Sequence, residues 1–150
     1  TIRIAQLTSL FFTHQNLFSK LMSITKKEEF YTLFSFSIQE FWKTHFTFES
    51  ISKKSLKKLS KPFIDLLLIN TIIPLKFVFL QSRGEVGEEE IMELIKQLSS
   101  EKNSIISNFS DLKIKSKTAL ESQALLELKN NYCTKKRCLQ CAIGNNLLRN

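Results

Sequence analysis

Pro62-Phe-Ile-Asp-Leu-Leu-Leu-Ile-Asn-Thr-Ile-Ile-Pro74-Leu-Lys-Phe-Val-Phe-Leu-Gln81 decides the fold. Pro62 suits the first turn of a helix, where its missing N–H is no loss. From there the stretch reads as one largely apolar helix to about Gln81, with Pro74 kinking it or splitting it in two. A helix apolar on most sides belongs in the middle of a bundle. The core of the stretch, Phe63 to Leu80, contains Asp65, Asn70, Pro74 and Lys76. That is too polar for a membrane span of about 20 residues, so a buried helix and no membrane partner are expected. Asp65 reads as a first-turn acid with no catalytic role, and Asn70 as the group that satisfies carbonyls freed by the kink.

The flanking segments carry helical periodicity as well. Between residues 2 and 24, Ile4, Leu7, Leu10, Phe11, Leu17, Phe18 and Leu21 step by threes and fours and predict one apolar helix face. Thr25-Lys-Lys-Glu28 has the form of a capping box opening a helix from Lys26 to about Phe46. The dense aromatics there would also suit a strand, but cap and length favour helix. Gly84-Glu-Val-Gly87 is a loop, followed by Glu88-Glu89-Glu90 at the start of a helix with Ile91, Leu94, Ile95 and Leu98 on one face. Ser99 or Ser100 is expected to cap a short helix, Glu101 to Phe109. Thr118 is expected to cap another that ends near Asn130-Asn131.

Composition agrees with this reading. Three Gly and two Pro in 150 residues are too few for a sandwich or barrel, and 13 Phe supply large core side chains. The fold class expected is all-α, a single compact bundle of six to eight helices, with residues 1–150 forming one domain. The start, Thr1-Ile-Arg-Ile, has no basic region followed by an apolar core and no initiator Met. A cytoplasmic protein is expected, of which this chain is the C-terminal part.

Net charge is +8, from 22 basic and 14 acidic residues, and favours anionic partners, nucleic acid above all. The densest patch is Lys53-Lys54, Lys57-Lys58 and Lys61, five lysines in nine residues. It reads either as a solvated segment beside the core or as a phosphate contact in which lysines release counterions. No aromatic or arginine interleaves these lysines, which argues against base-specific reading. Lys135, Lys136 and Arg137 form a second basic run.

That run lies inside Tyr132-Cys133-Thr-Lys-Lys-Arg-Cys138-Leu-Gln-Cys141, which holds all three cysteines. Cys138 and Cys141 at i, i+3 are able to converge on one ion, with Cys133 approaching from the preceding helix. Zinc and an iron–sulfur cluster each want four ligands. A fourth would have to be His14, His45, water or a partner's residue. Two other readings stay open: buried thiols packing as small hydrophobes, and redox or disulfide chemistry with thiols activated by Lys135, Lys136 and Arg137. No nucleophile elbow or phosphate-cradling glycine loop exists, and the paired acids read as surface caps, so no catalytic residue is assigned.

Several dispersed motifs recur together in one family. They are Arg3-Ile-Ala-Gln-Leu7, Phe41-Trp42-Lys-Thr-His45-Phe46, Ile69-Asn70-Thr-Ile-Ile-Pro74, Glu101-Lys-Asn103 and Ser122-Gln-Ala-Leu125. The ending Tyr132-Cys133, Cys138-Leu-Gln-Cys141 and Ile143-Gly144 belongs with them. On these residues the chain resembles, over nearly its whole length, the C-terminal half of the bacterial proteins catalogued as domain of unknown function 2851. The resemblance implies that the cysteine ending is a family feature and that an N-terminal half exists. It carries no activity with it.

The functional expectation is a non-catalytic accessory domain that binds nucleic acid through Lys53, Lys54, Lys57, Lys58, Lys135, Lys136 and Arg137. The rivals are a structural or protein-interaction domain, and a metal or redox domain centred on Cys133, Cys138 and Cys141.

Overall fold

The computed structural model describes residues 2–149 and is all-α. Among these residues, extended pairing is limited to isolated bridges, His45 with Ile51 and Ser99 with Thr118. The chain divides into two compact units, Thr1–Leu94 and Ile95–Asn150.

In the first unit, α1 (Ile2–Thr13) and α2 (Leu17–Ser23) replace the single helix expected over residues 2 to 24. The buried face of α1 is Ala5, Gln6 and Leu10, whereas Ile4 and Phe11 are exposed. Gln6 sets this register, because its side-chain amide donates to the carbonyl of Lys57. His14 sits at the break, with Nε2 3.1 Å from the Leu33 carbonyl.

The box at Thr25 and Glu28 does not form. Helix α3 (Lys27–Leu33) starts after an extended Lys26 with no side-chain cap, and it stops well short of Phe46. Phe34, Ser35, Phe36, Ser37 and Ile38 then alternate between less and more exposed positions, the period-two pattern of extended chain. Serine is a poor helix former, and burial of Phe34 and Ile38 on one side stabilises the extended alternative by about 1.5–3 kcal/mol each. A short α4 (Glu40–Thr44) follows.

Helix α5 (Lys61–Leu67) begins with Pro62 in its first turn, as expected. It runs through a π-helical turn, Leu68–Ile72, into α6 (Ile73–Ser82), and the backbone stays helical at Leu67, Leu68, Ile72 and Ile73. Pro74 therefore does not split the helix. The wider turn, closed by the Ile73 N–H on the Leu68 carbonyl, moves preceding carbonyls away from the proline ring. Asn70 is exposed, and its Nδ2 donates to the Leu66 carbonyl at 3.0 Å, one turn back and not to a carbonyl freed at Pro74.

The helix is buried on one face rather than all round. Ile64, Leu68, Ile69, Ile72, Ile73 and Lys76 form the buried stripe, while Leu66, Leu75 and Val78 are exposed. Lys61–Ser82 is long and apolar enough to cross a membrane by length and composition, with a third of its apolar window buried. Lys76 is almost fully buried, and all three of its ammonium protons have acceptors: Met22 O at 2.6 Å, Ile24 O at 2.7 Å and Glu90 Oε1 at 2.8 Å. Tyr31 donates to Asp65 Oδ1 at 2.6 Å and joins α3 to α5. Helix α7 (Glu88–Gln97) starts with the three glutamates and carries the boundary between the units.

In the second unit the expected Thr118 cap is present as a full capping box with Glu121, opening α9 (Ala119–Glu127). Backbone N–H groups of Lys117 and Thr118 hold the Glu121 carboxyl below its ordinary pKa. The preceding helix, α8 (Ser104–Asp111), is capped by Asn103, whose Oδ1 accepts from Ile106 N, rather than by Ser99 or Ser100. Ser99 instead bridges to Thr118, and Ser100 N donates to Lys117 O. Helix α9 does not stop at Asn130-Asn131. It continues as a π-helical turn, Leu128–Cys133, followed by a 3-10 turn, Cys138–Gln140, and α10 (Ala142–Arg149).

Candidate nucleic-acid interface

The lysine segment of the first unit is folded back onto α4 by backbone hydrogen bonds. Phe46 N donates to Ser50 O at 3.1 Å, Ser52 N to Thr44 O at 2.7 Å and Ser55 N to Lys43 O at 3.0 Å. The hairpin-like loop so formed carries residues 45 to 55 past the α4 side chains. Phe41 and His45 stack at 4.1 Å with planes 6° apart, and Trp42 meets Phe41 edge-on at 5.0 Å. Phe48 closes the group, 5.2 Å from Trp42. Beside it lies a pocket of about 310 Å³ lined by residues that include Ile4, Phe12, Gln39, Trp42 and Phe48. Phe12 and Phe48 are 79% and 74% exposed, far above what their apolar surface favours.

The four lysines expected to meet phosphate differ in what they do. Lys54 lies 2.5 Å from Glu40 Oε1, and Lys43 lies 2.7 Å from Oε2 of the same carboxylate. Hydrogen bonds from Lys43 and then Lys54 pull Glu40 down to about 2. Lys53 and Lys58 are exposed and without a partner among the described residues. Lys57 is a fold element: its ammonium donates to His45 O at 2.7 Å and Ser52 Oγ at 2.6 Å and sits 4.1 Å from the centre of the Phe46 ring. Desolvation holds it below the ordinary lysine pKa, and its backbone is left-handed, φ 40°. With its protons committed, Lys57 shapes the loop that presents Lys53 and Lys54.

Lys135, Lys136 and Arg137 belong to the second unit and are exposed. Lys135 donates to Asn131 Oδ1 at 2.6 Å, and Lys136 has a left-handed φ of 53°. These residues turn the chain between the π-helical turn and the 3-10 turn, with Arg137 N on Tyr132 O and Lys136 N on Cys133 O.

All three thiols are free; Cys133 and Cys138 are exposed and Cys141 is buried. Cys141 N donates to Cys138 O at 3.2 Å across the 3-10 turn. The described residues bring no three His, Cys, Asp or Glu side chains together in a metal-holding group. Neither histidine joins the thiols: His14 contacts Leu33, and His45 contacts Phe41 and Thr44. Cys133 lines an apolar cavity of about 260 Å³ with Ile105, Phe109, Leu112 and Lys129. Gly144 explains the end of the motif. A Cβ there would lie 2.5 Å from the Cys138 carbonyl oxygen, so only glycine lets α10 close on this turn.

Sequence reading missed the aromatic group as a surface feature. The dense Phe41, Trp42, Phe46 and Phe48 were visible, and lysines follow within a few residues. What the sequence does not display is the fold-back that brings Lys54 to Glu40, the residue before Phe41, and sets Lys57 over the Phe46 ring.

No curated protein and no solved structure matches the chain. The family model described as a protein of unknown function (DUF2851) matches residues 1–104, a span that includes the aromatic group and Lys53 to Lys58 and ends before the cysteines. The chain belongs to that family.

Proposed function

We propose that this chain is a non-catalytic, cytoplasmic accessory domain that binds nucleic acid by its basic surface. The supporting observation is the exposed lysine set on the fold-back of the first unit. Lys53 and Lys58 are exposed, and Lys43 and Lys54 share a single acid, Glu40, so the local balance stays positive. Exposed lysines act as point charges that position a backbone without reading sequence. Lys135, Lys136 and Arg137 supply a second exposed run in the other unit.

The test is fluorescence anisotropy with a labelled oligonucleotide on three proteins: the parent chain, a Lys53→Gln/Lys54→Gln/Lys58→Gln variant and a Lys135→Gln/Lys136→Gln/Arg137→Gln variant. The first variant is expected to lose most of the affinity with an unchanged melting temperature. Full affinity in both variants would refute the reading. A protein-interaction role is the second reading. It rests on α10, where Ile143 and Leu147, one turn apart, and the preceding Leu139 are all more than half exposed.

A further inference from the structure

We infer that the aromatic group on α4 and its loop is a stacking platform, and that it makes the bound nucleic acid single-stranded. This rests on the nucleic-acid reading above and goes further by naming the strand state and the side chains that select it.

Rings held edge-on and face-on by one another are pre-positioned. Phe41 is fixed between His45 and Trp42, and Phe48 leans on Trp42. Phe48 and Phe12 nevertheless remain largely exposed beside an open pocket that Trp42 also lines. An apolar, aromatic surface left uncovered needs an occupant. The adjacent charge specifies it: Lys43 and Lys54 both reach Glu40, the residue before Phe41 on α4, and Lys53 precedes Lys54 in the loop. A flat apolar group joined to a phosphate meets both requirements, and an unpaired nucleotide is such a group. In a duplex the base faces are already stacked on one another and are closed to the rings. Single strands offer those faces freely, with every base able to stack, so the platform discriminates by strand state and not by sequence.

Trp42 is the one tryptophan of the chain, so its fluorescence reports from the platform itself. The experiment titrates the whole chain with an oligothymidylate of about a dozen nucleotides and with a duplex of equal length. The expected result is quenching of Trp42 by the single strand and a preference over duplex of about tenfold or more. Phe12→Ala/Phe48→Ala should weaken the single-strand complex about tenfold and leave duplex binding unchanged. Phe48→Leu keeps an apolar side chain without the ring and should show the same selective loss if the alanine pair fails to fold.

Equal binding of duplex and single strand without quenching overturns the platform while leaving the lysine reading intact. Binding of neither overturns both. Burial of Trp42 by self-association, seen as a concentration-dependent shift without oligonucleotide, assigns the surface to a second copy and also overturns the inference.

Discussion

The Lys76 ammonium lies 2.8 Å from the Glu90 carboxylate, although Lys76 is almost wholly buried and Glu90 is 40% exposed. Its other two protons meet the carbonyls of Met22 and Ile24, at the end of α2. One side chain thus satisfies orphan carbonyls at a helix C-terminus and ties the apolar helix to two further segments of its unit. The charge that argued against a membrane span is a structural pin.

Lys76→Met removes all three donors and leaves two carbonyls without partners. It is expected to lower the unfolding free energy by about 2–4 kcal/mol. Glu90→Gln should cost less, because the amide oxygen still accepts and Glu90 is partly solvated. Urea unfolding of both variants checks the order; a neutral Lys76→Met would show that the carbonyls are satisfied some other way.

Tyr31 and Asp65 give a prediction at high pH. Desolvation, and then the hydrogen bond to Asp65, raise the phenol well above its ordinary value near 10. The folded state therefore holds a proton that the unfolded state releases. The contribution is complete below pH 10 and falls as pH rises beyond it. In a Tyr132→Phe background, phenolate absorbance should rise only above pH 10. A midpoint at or below 10 contradicts the contact.

Glu40 works in the opposite direction. Its value of about 2 lies below the ordinary 4.5, so its contribution is present above pH 4.5 and disappears as pH falls toward 2. A carboxyl NMR titration should place Glu40 lowest among the glutamates that shift. Lys43→Gln/Lys54→Gln should return it toward 4.5, and an unmoved Glu40 would mean that the shared ion pair does not persist in solution.

Gly144→Ala forces a methyl group against the Cys138 backbone, which cannot move as a side chain tip can. A cost of about 1–3 kcal/mol is expected. Thiol titration gives a local readout: in the parent chain Cys133 and Cys138 should react at once and Cys141 slowly, whereas the variant should expose Cys141. Equal rates for all three parent thiols would be the contrary result.

Much of the architecture was legible because it follows from local chemistry. Pro62, the glutamates opening α7 and the Thr118 cap are one-turn signals that no tertiary contact had to supply. The misread segments were decided by distant partners. Gln6 is buried and Phe11 is not, because Gln6 reaches the Lys57 carbonyl across the unit. Pro74 is absorbed by a wide turn that no residue pattern announces. Motifs visible only as recurring strings turn out to be halves of single networks. Glu101 N donates to Ser122 Oγ, and Gln123 Nε2 to Glu101 Oε1, joining the Glu101-Lys-Asn103 and Ser122-Gln-Ala-Leu125 strings. The lysine cluster was found by counting, but Lys57 could be separated from its neighbours only by seeing where its ammonium goes.

The most direct test of nucleic-acid binding is the salt dependence of oligonucleotide affinity for the parent chain and for Lys53→Gln/Lys54→Gln/Lys58→Gln. For a single strand, log affinity should fall with log salt by about 0.7 per neutralised phosphate, and the variant's slope should be shallower by about 2. Affinity that is flat between low and moderate salt, or a variant with the parent's slope, contradicts phosphate contact by this surface.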